Sequence, residues 1–258
     1  MKPDILISTR RKGSFFRYLK KLGFKKLIVL PHFISLSSKN LSCPTPFFRG
    51  KKHFSDIHLK LVRAIDAKHY DTNIAKINSD KIKDYLPKDR SLMDKFYKSV
   101  DFPYKKIIGI NAFSTHSTSK ANNFFLKSWL DLAFELGRTY SEFLFILLNF
   151  KQNPIQFQLN ESQNVRTFIN DDSIASLTSM SLSLDYFISV DTSNVHLCKL
   201  LQVPSLIFID ASICYRMGGG GCEFIDNFVV KAGWQKNYQK TLQDFTQMSK
   251  ERLDKLKG

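Results

Sequence analysis

Ser189-Val190-Asp191-Thr192-Ser193-Asn194-Val195-His196-Leu197 is the stretch whose reading decides the fold. The apolar run Tyr186-Phe187-Ile188-Ser189 leads into it, and Cys198-Lys199-Leu200-Leu201 carries it on to a second apolar run, Ser205-Leu206-Ile207-Phe208-Ile209. In order these are strand, tight polar turn, short helix and strand, half of a βαβ unit. Open α/β sheets hold ligands where the carboxyl ends of strands meet the amino ends of helices. An Asp, two hydroxyls and a His gathered at that edge serve no core. The turn is a candidate site.

The pattern recurs upstream. Lys106-Ile107-Ile108-Gly109-Ile110-Asn111 predicts a strand and residues 112–121 a hydroxyl-rich turn. Asn122 or Asn123 is placed to cap the next helix, whose Leu126, Trp129, Leu130, Ala133 and Leu136 share one face, with Gly137 near its end. Residues 143–148 predict a buried strand, 173–182 a short helix, and 238–257 a last helix burying Leu242, Phe245, Met248 and Leu253.

Nearer the start, residues 4–8 and 26–30 predict strands and 14–22 a helix closed by Gly23. Residues 35–52 read as a loop, and 53–67 as a helix with Ile57, Leu61, Ala64 and Ile65 on one face. Residues 68–104 are polar, broken by Pro87 and Pro103, and are expected to hold a further strand and the inter-domain connection. Strand–helix alternation throughout means an α/β protein with mostly parallel sheets. The expected domains are residues 1–104 and 105–258.

Composition narrows the function classes. Of the 258 residues 43% are hydrophobic and 13% aromatic, which excludes a disordered chain. The longest apolar run, Phe143-Leu144-Phe145-Ile146-Leu147-Leu148, is far short of the ~18 residues of a membrane span. The opening Met1-Lys2-Pro3-Asp4 has neither a long apolar region nor a small-residue cleavage site, so a cytoplasmic location is expected. Cys43, Cys198, Cys214 and Cys222 form no CxxC pair, and His53 and His58 are poorly spaced for one helical face, so no metal is assigned.

The net charge of +16 lies wholly in residues 1–106, with 25 Lys or Arg against 9 Asp and no Glu; the remainder balances 14 basic residues with 14 acidic. So one-sided a distribution points the first part at something anionic: nucleic acid, an anionic membrane surface or a phosphorylated acceptor. No RNA- or DNA-binding motif is recognisable, and nucleic acid is set aside.

Between the strand at 106–111 and its helix runs Ser114-Thr115-His116-Ser117-Thr118-Ser119-Lys120. Hydroxyls, free amides at a helix start and a Lys suit a phosphate group. The glycines of a Walker loop are missing, and GxGxxG does not match. In the second turn, Asp191-Thr192-Ser193 offers amides and hydroxyls at a helix start, and His196 in the first helical turn can donate to a phosphate oxygen. Two such turns in one α/β domain describe a diphosphate site. Asp191 suits another task beside an anion, such as holding sugar hydroxyls or capping the helix.

Ser189 to Leu197, continued by Leu201-Gln202-Val203-Pro204, resembles the D-T-G-x-x-H-L…G-x-P signature of glycosyltransferase family 9, the heptosyltransferases of lipopolysaccharide core synthesis. Ile110-Asn111-Ala112-Phe113-Ser114 through Lys120, then Trp129 to Leu136, resembles that family's strand, phosphate turn and Lys. The resemblance implies a GT-B fold of two Rossmann-like domains, the first incomplete here. It implies that Ser114, Thr115, Lys120, Thr192, Ser193 and His196 bind the diphosphate of a nucleotide-sugar donor, ADP-heptose, and that Asp191 helps place the sugar. It implies an inverting transfer without a metal to an anionic lipid A–core acceptor at the inner membrane surface, faced by the basic first domain.

The sequence departs from the family in three places. Ser193 stands where the family has Gly, the region after Phe150 offers only Glu161 for a further donor contact, and no Gly-Asp dipeptide occurs to carry the family's general base. Residues 4–8 resemble a later strand of the first domain. The expected alternatives are a partner chain supplying the missing segment, or a nucleotide-sugar-binding remnant with weak or no catalysis.

Overall fold

Short β-branched and aliphatic runs separated by amphipathic helices fold as two parallel-sheet units. In the computed structural model, residues 4–9, 13–30, 41–44, 54–76, 81–112, 123–151, 164–217 and 223–257 are described. One compact unit comprises Met1–Asn78 with Tyr215–Met217, the other Ser79–Cys214 with Gly218–Gly258.

In the first unit, β1 (Ile5–Ser8), β2 (Lys26–Val29) and β3 (Leu41–Ser42) form a parallel sheet in that order. Helix α1 (Gly13–Lys21) follows β1 and packs Phe15 and Leu19 over Leu27 and Val29. Gly23, at φ +64°, turns the chain out of it in the left-handed region that glycine adopts without strain. Helix α2 (Phe54–Arg63) seats Ile57 and Leu61 on Ile28 of β2 and on Leu30 just beyond its end. Alternate residues of β2 thus face opposite layers, as the two-residue period of a strand requires. Ile65, expected on the buried face of this helix, is 44% exposed because the helix ends before it. Strand β3 lies inside the stretch read as a loop.

Residues 68–104 hold no strand among those described. They carry α3 (Ala67–Asn73), α4 (Ile82–Tyr85) and α5 (Ser91–Lys98). Met93 of α5 is fully buried with Leu144, Phe168 and Met180, and Tyr97 Oη bonds Ser183 Oγ at 2.6 Å. Residues 79–104, which the sequence reading assigned to the first domain, therefore pack with the second. Their apolar positions are too sparse to show periodicity and are legible only against the layer they cover.

The second unit is a six-stranded, all-parallel sheet in the order β6-β5-β4-β7-β8-β9. Its strands are β4 (Lys106–Asn111), β5 (Phe143–Phe150), β6 (Val165–Asn170), β7 (Tyr186–Val190), β8 (Ser205–Asp210) and β9 (Ile225–Val230). Numbered within the unit this is 3-2-1-4-5-6, the doubly wound dinucleotide-fold order. Strands β6 and β9 were not read from sequence; each sits at a sheet edge, and polar residues interrupt its apolar pattern.

Helices α6 (Leu126–Thr139) and α10 (Tyr238–Asp254) cover one face, burying Trp129, Leu132, Leu136, Phe245 and Leu253 against Ile108, Ile110, Phe145 and Phe208. Helices α7 (Ile174–Leu182) and α8 (Ser193–Leu201) cover the other, with Met180, Val195 and Leu201 against Leu144, Ile146, Phe187 and Ile207. A further helix, α9 (Ala211–Met217), follows β8. Gly137 lies near the end of α6, as expected, and is buried there; a Cβ at this position would stand 2.6 Å from Val165 Cγ2. It admits a close approach of helix to strand, reinforced by Asn164 Nδ2 donating to the Gly137 carbonyl at 2.8 Å.

Candidate functional site

Strand order reverses direction between β4 and β7, whose pairing runs from Ile108↔Tyr186 to Asn111↔Ser189. The connections leaving these two strands diverge to opposite faces, opening a crevice at their carboxyl ends. The turns singled out by sequence leave from these two ends. Ser114, Thr115 and Lys120 themselves lie outside the described residues, as do Asn122, Glu161, His53, Cys222 and the glycine run at 218–221.

The other site residues are placed. Thr192 is the N-cap of α8, with φ −146° and ψ 170°, and its Oγ1 accepts from Asn194 N at 3.2 Å. An N-cap hydroxyl satisfies one of the four amides a helix start leaves unpaired. Ser193, the first helical residue, is exposed. His196 stands in the first turn of α8, close enough to Asp191 for their charges to attract. The positive end of the helix dipole adds to the attraction for anions.

Asp191 follows β7 directly and donates its backbone N–H to Phe208 O at 3.2 Å. It does not cap α8; that is the work of Thr192. Its Oδ1 is buried without a hydrogen-bond partner. Burial holds its carboxyl above the ordinary carboxylate range, and His196 only partly offsets this. An acceptor so placed suits a hydroxyl that arrives with a ligand. Asp191 also reaches Cys214 on α9 electrostatically, pushing that thiol up after burial has already done so.

Asn111 belongs to the site and was read from sequence only as a strand end. It closes β4, is 1% exposed, and donates from Nδ2 to Thr192 Oγ1 at 3.0 Å and to Ser189 Oγ at 3.3 Å. Its Oδ1, like that of Asp191, is buried with no partner. The signal available in the sequence was a polar side chain ending an otherwise apolar strand. At the next strand, Asp210 Oδ1 accepts from Ser212 N at 2.7 Å and starts α9.

The first turn is pinned at both ends. Asn123 Nδ2 donates to Ala112 O at 2.8 Å while its Oδ1 takes the indole N–H of Trp129 at 2.9 Å. Asn123 is thus no cap of α6. The N-cap is Phe125, whose N–H is taken by Tyr238 Oη at 2.8 Å. Phe124 fixes the same corner from below, 4.3 Å between ring centroids from Phe208 and 5.3 Å from Trp234. Among the described residues no group of three His, Cys, Asp or Glu could hold a metal, and no helix is long and apolar enough to cross a membrane.

A doubly wound α/β unit with a polar switch point defines the general class of fold. No family model and no curated protein matches the chain in sequence. Solved structures do match. The glycosyl transferase family 9 structure from Veillonella parvula DSM 2008 aligns with TM-score 0.60 at 13% identity, over 93% of this chain and 66% of that one. The E. coli heptosyltransferase WaaC with ADP aligns with TM-score 0.56 at 13% identity, over 97% of this chain and 73% of that one. The S. aureus MnaA–UDP co-structure gives 0.51 at 13% identity, over 98% and 66%. The particular fold is therefore that of the GT-B glycosyltransferase structures, α/β with parallel sheets, and the chain spans just under two thirds of the length of the family 9 structure.

Proposed function

We propose that this chain is a glycosyltransferase of the heptosyltransferase type. It binds a nucleotide sugar at the carboxyl edge of β4 and β7 and transfers the sugar, with inversion, to an anionic lipid A–core acceptor. The observation that carries this reading is the buried, unpartnered Asp191 Oδ1, held beside the amino end of α8 at the switch point. Solved structures with ADP and with UDP share the fold, which supports a nucleotide diphosphate as the ligand.

The residues divide the work by chemistry. Ser114, Thr115 and Lys120 take the diphosphate from the first turn, and Thr192, Ser193 and His196 from the second. Asp191 accepts from a hydroxyl of the donor sugar, which by the sequence resemblance is heptose on ADP. Lys120, His196 and the α8 dipole balance the phosphate charge without a metal. Residues 1–78, with 17 Lys or Arg against 4 Asp, face the phosphorylated acceptor from the cytoplasmic side of the membrane.

A second reading, donor binding without turnover, is favoured by one fact: the sequence has no Gly-Asp dipeptide to carry the family's base. Positioned general bases contribute roughly 10²–10⁴-fold, so transfer lacking one would be slow. In this reading a partner chain supplies the base or the protein only binds. Calorimetry with ADP and with UDP, on the native chain and on His196→Ala and Lys120→Ala, tests the shared core of both readings. Binding of one nucleotide, weakened by both substitutions, is expected; folded protein that binds neither nucleotide refutes the donor site. A transfer assay with the isolated chain then separates enzyme from binder.

A further inference from the structure

Thr192 Oγ1 receives two N–H groups, from Asn111 Nδ2 at 3.0 Å and from Asn194 N at 3.2 Å. A hydroxyl has two lone pairs and one proton. With both lone pairs engaged, the only hydrogen bond left for Thr192 is one it donates. Ser189 decides which way round the Asn111 amide sits. Its proton goes to Val190 O at 2.6 Å, so at 3.3 Å it offers Asn111 a lone pair alone, and only Nδ2 can meet that. The same orientation leaves Asn111 Oδ1 buried and unpaired. The fold therefore accepts an orphaned carbonyl in order to aim an N–H at two hydroxyls.

We propose that Asn111 is a positioning residue that locks the Thr192 hydroxyl as a donor, making the start of α8 selective for ligand oxygens that can only accept, those of a diphosphate. The inference rests on the donor-site reading above and deepens it. With the amide reversed, Thr192 would give its proton to Oδ1 and meet a phosphate with a lone pair, which repels it. Asn111 thus controls the sign of the hydrogen bond offered at the switch point without itself touching the phosphate.

The test is calorimetry with ADP, adenosine and inorganic pyrophosphate on the native chain, Asn111→Leu, Asn111→Asp, Thr192→Val and the two double variants. Asn111→Leu frees the hydroxyl to rotate, and a loss of about threefold to tenfold is expected for ADP and pyrophosphate, with adenosine unchanged. Asn111→Asp accepts the Thr192 proton and is expected to lose more than tenfold. In the Thr192→Val background Asn111→Leu should add nothing further, because the group it acts through is gone. Equal losses for ADP and adenosine, or full additivity with Thr192→Val, would assign Asn111 a purely structural role and overturn the proposal. Unchanged ADP affinity in both Asn111 variants overturns it as well. Should Asn111→Leu fail to fold, Asn111→Asp, which keeps the shape, reads the same ligand split. Pyrophosphate binding without nucleotide binding would leave this inference standing and remove the nucleotide-sugar reading; a native chain that binds neither removes both.

Discussion

Asn123 Oδ1 accepts the indole N–H of Trp129 at 2.9 Å while the same side chain donates to Ala112 O at 2.8 Å, so one amide closes the turn between β4 and α6 at its base. Asn123 is 5% exposed and Trp129 fully buried. Removing the amide leaves a buried donor and a buried acceptor without partners, each costing about 1–3 kcal/mol. Asn123→Ala is expected to lower unfolding stability by about 2 kcal/mol or more by urea titration, and to weaken diphosphate binding because the turn's exit is no longer tied to its entry. Trp129→Phe in the same background should cost less than it does alone, since the bond is already gone. Full additivity of the two changes would contradict the clamp.

Asp191 predicts opposite effects on stability and on binding. Burial raises its folded pKa above the ordinary carboxylate value. A group raised in this way favours the folded state while it is protonated, and that contribution is lost as pH rises through the folded value. At neutral pH the native chain therefore carries a carboxylate it would hold more comfortably neutral. Asp191→Asn should melt higher than the native chain above the raised folded value, and the gain should fade as pH falls through that value and be gone by the ordinary carboxylate value. Its affinity for a nucleotide sugar should fall about tenfold or more, while affinity for ADP alone should not fall. A variant that melts lower at pH 7 would show that the carboxylate is paired rather than stranded.

Gly137→Ala sets helix propensity against packing. Alanine is favoured over glycine inside a helix by about 1 kcal/mol. Here the new Cβ would press on Val165 Cγ2 at 2.6 Å, and overpacking costs about 1–3 kcal/mol. A net loss of about 1 kcal/mol is expected in urea titration. A gain would mean that α6 can retreat from β6 at no penalty.

Thiol labelling reads the same geometry. Burial pushes the Cys198 thiol up to about 12, so at pH 8 only about one molecule in ten thousand presents a thiolate. Cys198 should react last among Cys43, Cys198 and Cys214 with a maleimide followed by peptide mass spectrometry. Cys214 lies within reach of the charge on Asp191, and a nucleotide sugar bound there should slow its labelling. Fast modification of Cys198 in folded protein would contradict its burial on the sheet-facing side of α8.

Legibility in the sequence followed physical signal strength. The central strands β4, β5, β7 and β8 are buried on both faces and read as near-continuous apolar runs, so they were found where they lie. The edge strands β6 and β9 carry Arg166, Thr167, Asp226 and Asn227 on half-exposed positions and have no comparable run. Thr192, His196 and Asp191 were visible because hydroxyl, imidazole and carboxylate are conspicuous between two apolar strands. Asn111 and Asn123 were not assigned their roles, because what they do depends on partners 81 and 11 residues away. The grouping of residues 79–104 with the second sheet was hidden for the same reason: Met93 meets a face that local sequence does not reveal.

Parallel pairing of β4 with β7 has a further consequence for the growing polypeptide. The register joins Ile110 to Ile188 and Asn111 to Ser189, so a nascent chain has completed β4 long before its central neighbour leaves the ribosome. Until then β4 presents an open apolar edge, the kind of surface that recruits other strands. The polar crevice cannot exist before Thr192 has been synthesised and docked, whatever the state of the first turn. Ligand competence is in this sense a report of late assembly: a chain arrested before β7 would own the first half of the site and a sheet prone to aggregate.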